Sequence, residues 1–166
     1  MTNKSPIHLV IVDALNLIRR IDGALRGFSK TEKIDANQLL TLSQQALNKL
    51  IKGHCPSHIV AVFDGDGNNW RKHFYPDYKA NRKPMADDLK QLLPTIISQW
   101  QAQGIESITP EHDEADDIIA ALCGELEFDN GKTLILSGDK DFIQLHKYRN
   151  VTQYSPITKK FIDGID

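Results

Sequence analysis

Glu114-Ala115-Asp116-Asp117 places three carboxylates within four residues, directly before the apolar run Ile118-Ile119-Ala120-Ala121-Leu122. Carboxylates crowded in this way repel one another unless a cation neutralises them or some hold a proton, so the stretch points to a hard metal ion. Four more acids occupy comparable positions. Asp13 closes Leu9-Val10-Ile11-Val12, Asp64 closes Ile59-Val60-Ala61-Val62-Phe63, and Asp139 and Asp141 follow Thr133-Leu134-Ile135-Leu136 within Ser137-Gly138-Asp139-Lys140-Asp141. Taken singly, each has a structural explanation: acids in a first helical turn gain about 0.3–1 kcal/mol from the helix dipole, and Asp139 could cap the next helix. Capping does not explain Asp13 and Asp64 together with the rest. Clustered carboxylates without His or Cys ligand spacing favour Mg²⁺ or Mn²⁺ over zinc. A pair of such ions about 3.5–4 Å apart can polarise a water and stabilise the leaving oxygen of a phosphodiester.

The elements that must position these acids follow from apolar periodicity. The runs at 9–12, 59–63 and 133–136 are continuous and rich in β-branched residues, the first two ending directly in an acid and the third in Ser137-Gly138-Asp139, the pattern of buried parallel strands with polar carboxyl ends. Residues 105–108 form a short strand, and 151–154 with 159–162 a final pair. Helical spacing is present at 14–21, with Arg19 and Arg20 at its C-terminal end, and Gly23 and Gly27 then mark a loop. A long amphipathic helix covers 36–51, and another covers 89–100, with Pro94 bending or restarting it and Gly104 closing it. Asp113 is the expected N-cap of the helix that carries Glu114, Asp116 and Asp117 and runs through Leu126 towards Asn130-Gly131. A short helix passes through Phe142, Ile143 and Leu145. Alternating strands and helices imply an α/β domain of three layers on a mostly parallel sheet, with its chemistry beyond the strand carboxyl ends.

The 166 residues suit one domain, read here as 1–166, and 40% hydrophobic with 25% charged residues describes an ordinary globular protein. Apolar runs are too short for a bilayer span or a secretory h-region, and two cysteines, Cys55 and Cys123, lack metal or disulfide spacing. A monomeric cytoplasmic protein is expected. The net charge of −2 looks unsuited to a nucleic-acid binder, but neutralising the seven acids by bound metal raises it by seven, to +5. No phosphate-binding glycine loop or dinucleotide turn is present, and no Ser, Cys or His sits in a nucleophile motif.

The complement to the acids is the segment of about 66–85, where periodicity lapses and Trp70-Arg71-Lys72-His73-Phe74-Tyr75-Pro76-Asp77-Tyr78-Lys79-Ala80-Asn81-Arg82-Lys83 mixes aromatics with cations. Such a connection inside a compact domain reads as a mobile lid or binding loop. Tyr78 can stack on a base while Lys79, Arg82 and Lys83, helped by Arg71 and Lys72, hold phosphate oxygens, the combination that tracks single-stranded nucleic acid.

Val12-Asp13, Phe63-Asp64-Gly65, Tyr78-Lys79-Ala80-Asn81-Arg82, Glu114-Ala115-Asp116-Asp117-Ile118-Ile119 and Ser137-Gly138-Asp139-Lys140-Asp141 followed by Gln144-Leu145 together resemble the bacterial and phage 5′ nucleases of the flap-endonuclease type, which include the N-terminal domain of DNA polymerase I. The resemblance runs almost from end to end and is nearest to stand-alone members. It implies a PIN-like fold and metal ligation by Asp13, Asp64, Glu114, Asp116, Asp117, Asp139 and Asp141, with Asp116 near the centre. It places Lys79 and Arg82 at the base of a helical arch that admits a single-stranded 5′ end, Lys79 stabilising charge on the scissile phosphate, with Tyr78 stacking near it and Arg19 contacting phosphate. The implied reaction is hydrolysis of DNA at 5′ flaps or 5′ ends in replication or repair. Family members continue into a helical motif that grips duplex through a K⁺ ion. This chain ends at Gly164-Ile165-Asp166 before such a motif, as either a fragment or a shortened protein.

Other functions compete. A nucleic-acid-binding remnant with weak catalysis would follow from loss of the duplex-binding motif. An RNA-cleaving nuclease would use the same acids. A phosphotransfer receiver domain also gathers aspartates around Mg²⁺, but explains neither the basic segment nor Asp139-Lys140-Asp141. His54, His58, His73, His112 and His146 read as surface or structural residues rather than ligands.

Overall fold

The computed structural model describes residues 8–29, 35–66, 70–79, 85–127 and 131–162. Its centre is a six-stranded sheet built from β1 (His8–Asp13), β2 (His58–Val62), β3 (Glu106–Ile108), β4 (Lys132–Leu136), β5 (Val151–Ser155) and β6 (Lys160–Phe161), ordered β3-β2-β1-β4-β5-β6. The first five strands run parallel and β6 is antiparallel to β5. This is the three-layer, mostly parallel arrangement expected.

Alternation along β1 divides the core. Val10 and Val12 face α1 (Ala14–Ser29), α2 (Ala36–His54) and α4 (Asp87–Gln101), where Ile18, Leu39, Leu47, Ile96 and Trp100 are fully buried. Leu9 and Ile11 face the other way, towards Ile119 and Cys123 of α5 (Ala115–Glu127) and Phe142 and Leu145 of a 3₁₀ helix (Lys140–Lys147). Side chains of successive strand residues point to opposite faces, so a continuous apolar run is the mark of a strand covered on both sides. No helix among the described residues is long and apolar enough to cross a membrane.

Register brings three strand ends together. Asp13 pairs with Val62, two residues before Asp64, and Val12 pairs with Leu136, one residue before Ser137. The acids at the ends of β1, β2 and β4 therefore share one edge.

Several local expectations change. Gly23 and Gly27 lie inside α1 rather than in a loop. Each glycine costs about 1 kcal/mol in a helix, but Arg26 offsets this by bonding Asp22 one turn back and Asp88 at the start of α4, each at 2.8 Å, while Leu25 packs on the core. Pro94 does not restart α4, which runs unbroken through it; it sits on the exposed side, where the carbonyl it leaves unpaired can meet water. Among the described residues of the basic segment, Trp70–Phe74 form a short helix α3, followed by a turn in which the Tyr78 amide donates to Tyr75. Asp113 does not cap α5: the helix begins at Ala115, and the Asp113 carbonyl instead accepts from Gly65 N–H at 2.8 Å.

Candidate metal and phosphate site

Asp13, the last residue of β1, is buried with 7% exposure, and its Oδ2 accepts from Ser137 Oγ at 2.8 Å. Burial, reinforced by the charges of Asp116, Asp64 and Asp139, outweighs that hydrogen bond and pushes its carboxyl up to about 7. Asp116, on the first turn of α5, is pushed up to about 6, first by burial and then by Asp139 and Glu114.

The approach of α5 to β2 has a specific cause. Beyond β2 the chain continues to bond to the segment after β3: Phe63 N–H donates to Ile108 O, Gly65 N–H to Asp113 O and Asp66 N–H to Glu111 O, at 2.9, 2.8 and 3.0 Å. A Cβ on Gly65 would stand 2.7, 2.8 and 2.9 Å from the carbonyl oxygens of Pro110, Glu111 and Asp113, so only glycine permits this closeness. Asp64 Oδ1 then accepts the Ala115 N–H at 2.7 Å, satisfying an amide at the start of α5 that has no helical partner.

After β4 the backbone turns through Ser137-Gly138-Asp139. Asp139 Oδ1 accepts the Asp141 amide at 2.9 Å, so the capping role considered for Asp139 is real. It does not displace the other role. Carboxylate oxygens of Asp116, Asp139 and Asp141 lie within 4.8 Å of one another, close enough to share one cation.

These residues line a polar cleft of about 270 Å³ formed by Asp13, Leu15, Asn16, Asp64, Lys79, Asp116, Asp139 and Asp141. Crowded carboxylate oxygens, with Asp13 and Asp116 both raised by burial and by neighbouring acids, fit a divalent cation. A larger apolar groove of about 600 Å³ between α1, α2 and the β5–β6 turn has no acid in its lining.

Glu114 and Asp117 face cations instead. Lys79 Nζ reaches Glu114 Oε1 at 3.0 Å, and Arg71 reaches Glu114 Oε2 at 3.5 Å. Arg71 also grips Asp117 at two points, both 2.9 Å, holding that carboxyl below its ordinary range. Tyr78 places its hydroxyl 3.4 Å from Glu114 Oε2, with Lys79 Nζ 5.3 Å from its ring centre. Lys79 has φ +56°, a left-handed conformation at the end of the turn after α3, and its side chain lines the acidic cleft. The guanidinium of Arg71 also lies 4.5 Å over Trp70. Arg19 is half-buried on α1, one helical turn beyond Asn16, and Lys72 is exposed. Arg82 and Lys83 lie outside the described residues. Of the histidines, His146 bonds Gln153, His58 bonds Ser57 and His112 bonds Asp66, in line with structural roles.

Asn16, Ser137 and Gln153 belong to this site without a role legible in the sequence pattern. Asn16 lies in the first turn of α1, directly after the strand that ends in Asp13, and so opens onto the same cleft. Ser137 directly follows the apolar run of β4. Gln153 is a polar residue in the middle of a strand, which when buried must find partners.

Comparison with known proteins gives a consistent picture. Residues 8–164 match the family model described as 5′-3′ exonuclease, N-terminal resolvase-like domain. The chain is 43% identical over 141 residues to Flap endonuclease Xni of Vibrio parahaemolyticus, covering 84% of this chain and 52% of that protein. It is 39% identical over 155 residues to Flap endonuclease Xni of Shewanella denitrificans, covering 93% and 59%. The chain thus spans a little over half the length of these relatives. Among solved structures, T5 5′-exonuclease with bound divalent zinc ions aligns with TM-score 0.75 at 19% identity, covering 94% of this chain and 58% of that one. A T5 flap endonuclease pseudo-enzyme–product complex with DNA and metal ions aligns with TM-score 0.66 at 19% identity, covering 94% and 57%. At that identity these two likenesses concern the fold.

Proposed function

The chain belongs to the 5′-3′ exonuclease N-terminal resolvase-like domain family, and from this premise we propose that it is the catalytic part of a divalent-metal-dependent nuclease that hydrolyses DNA phosphodiesters at 5′ flaps or 5′ ends. The observation that carries the reading is the meeting of Asp116, Asp139 and Asp141 within 4.8 Å in a cleft that Lys79 also lines. Acids for a cation and a cation for a phosphate then face one space.

Asp13, Asp64, Asp116, Asp139 and Asp141 would hold Mg²⁺ or Mn²⁺, with Glu114 and Asp117 supporting from behind. When bound, the cation lowers the pKa of water and offsets charge on a displaced phosphodiester oxygen. The protein's own part is orientation. Ser137 fixes Asp13, the Asp64–Ala115 bond fixes α5 against β2, and Lys79, steadied by Glu114, presents a positive charge to the scissile phosphate. Tyr78 offers a face for a base next to that phosphate, and Arg82 and Lys83 extend the basic track. We take the protein to act as a monomer in a reducing cytoplasm, in keeping with one exposed and one buried free thiol.

The test uses end-labelled 5′-flap duplex, a single strand and the same flap made of RNA, each with Mg²⁺, Mn²⁺ or EDTA. Metal-dependent release of the flap strand is expected. Cleavage of RNA alone would move the substrate class, and binding without cleavage would reduce the chain to a nucleic-acid-binding protein.

A further inference from the structure

Gln153 is fully buried in β5, on the side of the sheet edge where the β4 end turns towards the acids. Its Nε2 donates both hydrogens, to Ser137 O at 2.9 Å and to Asp139 O at 2.7 Å. Those two carbonyls bracket Gly138, so one side-chain amide holds both ends of the turn that delivers Asp139. The amide cannot sit the other way round, because Oε1 would then face two carbonyl oxygens. Oε1 must therefore accept, and its partner is His146 Nε2 at 3.1 Å, which requires the proton of a neutral His146 to be on Nε2.

The turn so clamped connects to three carboxylates. Ser137 Oγ donates to Asp13 and accepts the Asp139 amide at 3.1 Å, and Asp139 in turn orients the Asp141 amide. Gly138 is closely confined, since an added Cβ would lie 3.3 Å from Ser155 Oγ.

We propose that Gln153, oriented by His146, is a positioning residue for the metal site: it acts through the 137–139 turn to aim Asp139, Asp141 and Asp13 at a shared divalent cation. This inference rests on the metal-dependent reading above and adds residues that line no part of the cleft. Partners behind metal ligands commonly change affinity by about 10–100-fold when removed.

The test compares the unmodified chain with Gln153→Leu, Gln153→Glu and His146→Phe. Mn²⁺ binding is measured without DNA by the loss of the free-ion EPR signal, and melting is measured in EDTA. The expected result is an affinity about tenfold weaker for Gln153→Leu, and at least as weak for Gln153→Glu, whose oxygens would face the two carbonyls. A smaller loss is expected for His146→Phe, which keeps both donated bonds and leaves the buried Gln153 Oε1 without its His146 partner. If Gln153→Leu fails to fold, Gln153→Glu and His146→Phe decide the matter. Wild-type affinity in the folded variants overturns the clamp and leaves the nuclease reading intact. No Mn²⁺ binding by the unmodified chain overturns the metal reading, and the clamp with it.

Discussion

Arg71 and Asp117 form a two-point ion pair, Nη1 to Oδ2 and Nη2 to Oδ1, both at 2.9 Å. It joins α3, in the basic segment, to the first turn of α5, in the acidic cluster. Asp117 Oδ2 also accepts the Glu114 N–H at 3.3 Å, so the same carboxylate closes the start of α5. The pair therefore sets the distance at which Lys79 and Tyr78 stand from the acids.

Replacing Arg71 by Ala should loosen residues 70–79, which bury no apolar residue of their own in α3. Charge-assisted hydrogen bonds of this kind contribute about 1–3 kcal/mol, and a quarter of the Arg71 side chain is exposed, which puts the expected loss near the low end. Hydrogen exchange at 70–79 should rise with little change elsewhere. Arg71→Lys should rescue only partly, since an ammonium cannot match both carboxylate oxygens.

The opposite sign is expected at Gly23 and Gly27. Both are exposed within α1, with nothing within 4 Å of an added Cβ. Alanine at each should stabilise the protein by about 0.5–1 kcal/mol, visible as a higher urea midpoint.

Gly65→Ala should be strongly destabilising, because three carbonyl oxygens within 2.9 Å of the new Cβ are backbone and cannot swing away. Overpacking of this kind costs about 1–3 kcal/mol or more. Parting the two segments would also break the Asp64–Ala115 bond, so both the melting temperature and metal affinity should drop.

How much of this could be read along the chain depends on distance. Asp13, Asp64 and Asp139 are legible because an apolar run followed by an acid is a local pattern, and parallel register then forces the ends together. Pairing Arg71 with Asp117 is not legible, since the partners are 46 positions apart and each has an ordinary local explanation. The helix through Gly23 and Gly27 is hidden for the same reason: its support at Asp88 lies 62 positions away from Arg26. Gln153 escapes notice because a lone glutamine in a strand carries no spacing signal, and its two acceptors belong to a turn that exists only once β4 and β5 are paired.

Acidity supplies a further test. Asp13 and Asp116 hold protons up to about 7 and about 6, above the ordinary value of 3.8. Carboxyls raised on folding favour the native state at low pH, and that contribution is lost as pH climbs through the raised values. In EDTA, the melting temperature should fall by roughly 5 °C between about pH 5 and pH 8. Saturating Mg²⁺ or Mn²⁺ should remove most of the fall by taking the place of the protons, and Asp13→Asn should flatten the EDTA curve.

Single-turnover cleavage of a labelled 5′-flap DNA by the unmodified chain and by Asp116→Asn, each with Mn²⁺ or EDTA, bears most directly on the central claim. Metal-dependent cleavage by the unmodified chain, reduced at least about 100-fold by EDTA and by Asp116→Asn alike, is the predicted result. Cleavage that survives both treatments, or flap binding with no cleavage in any metal, would contradict it.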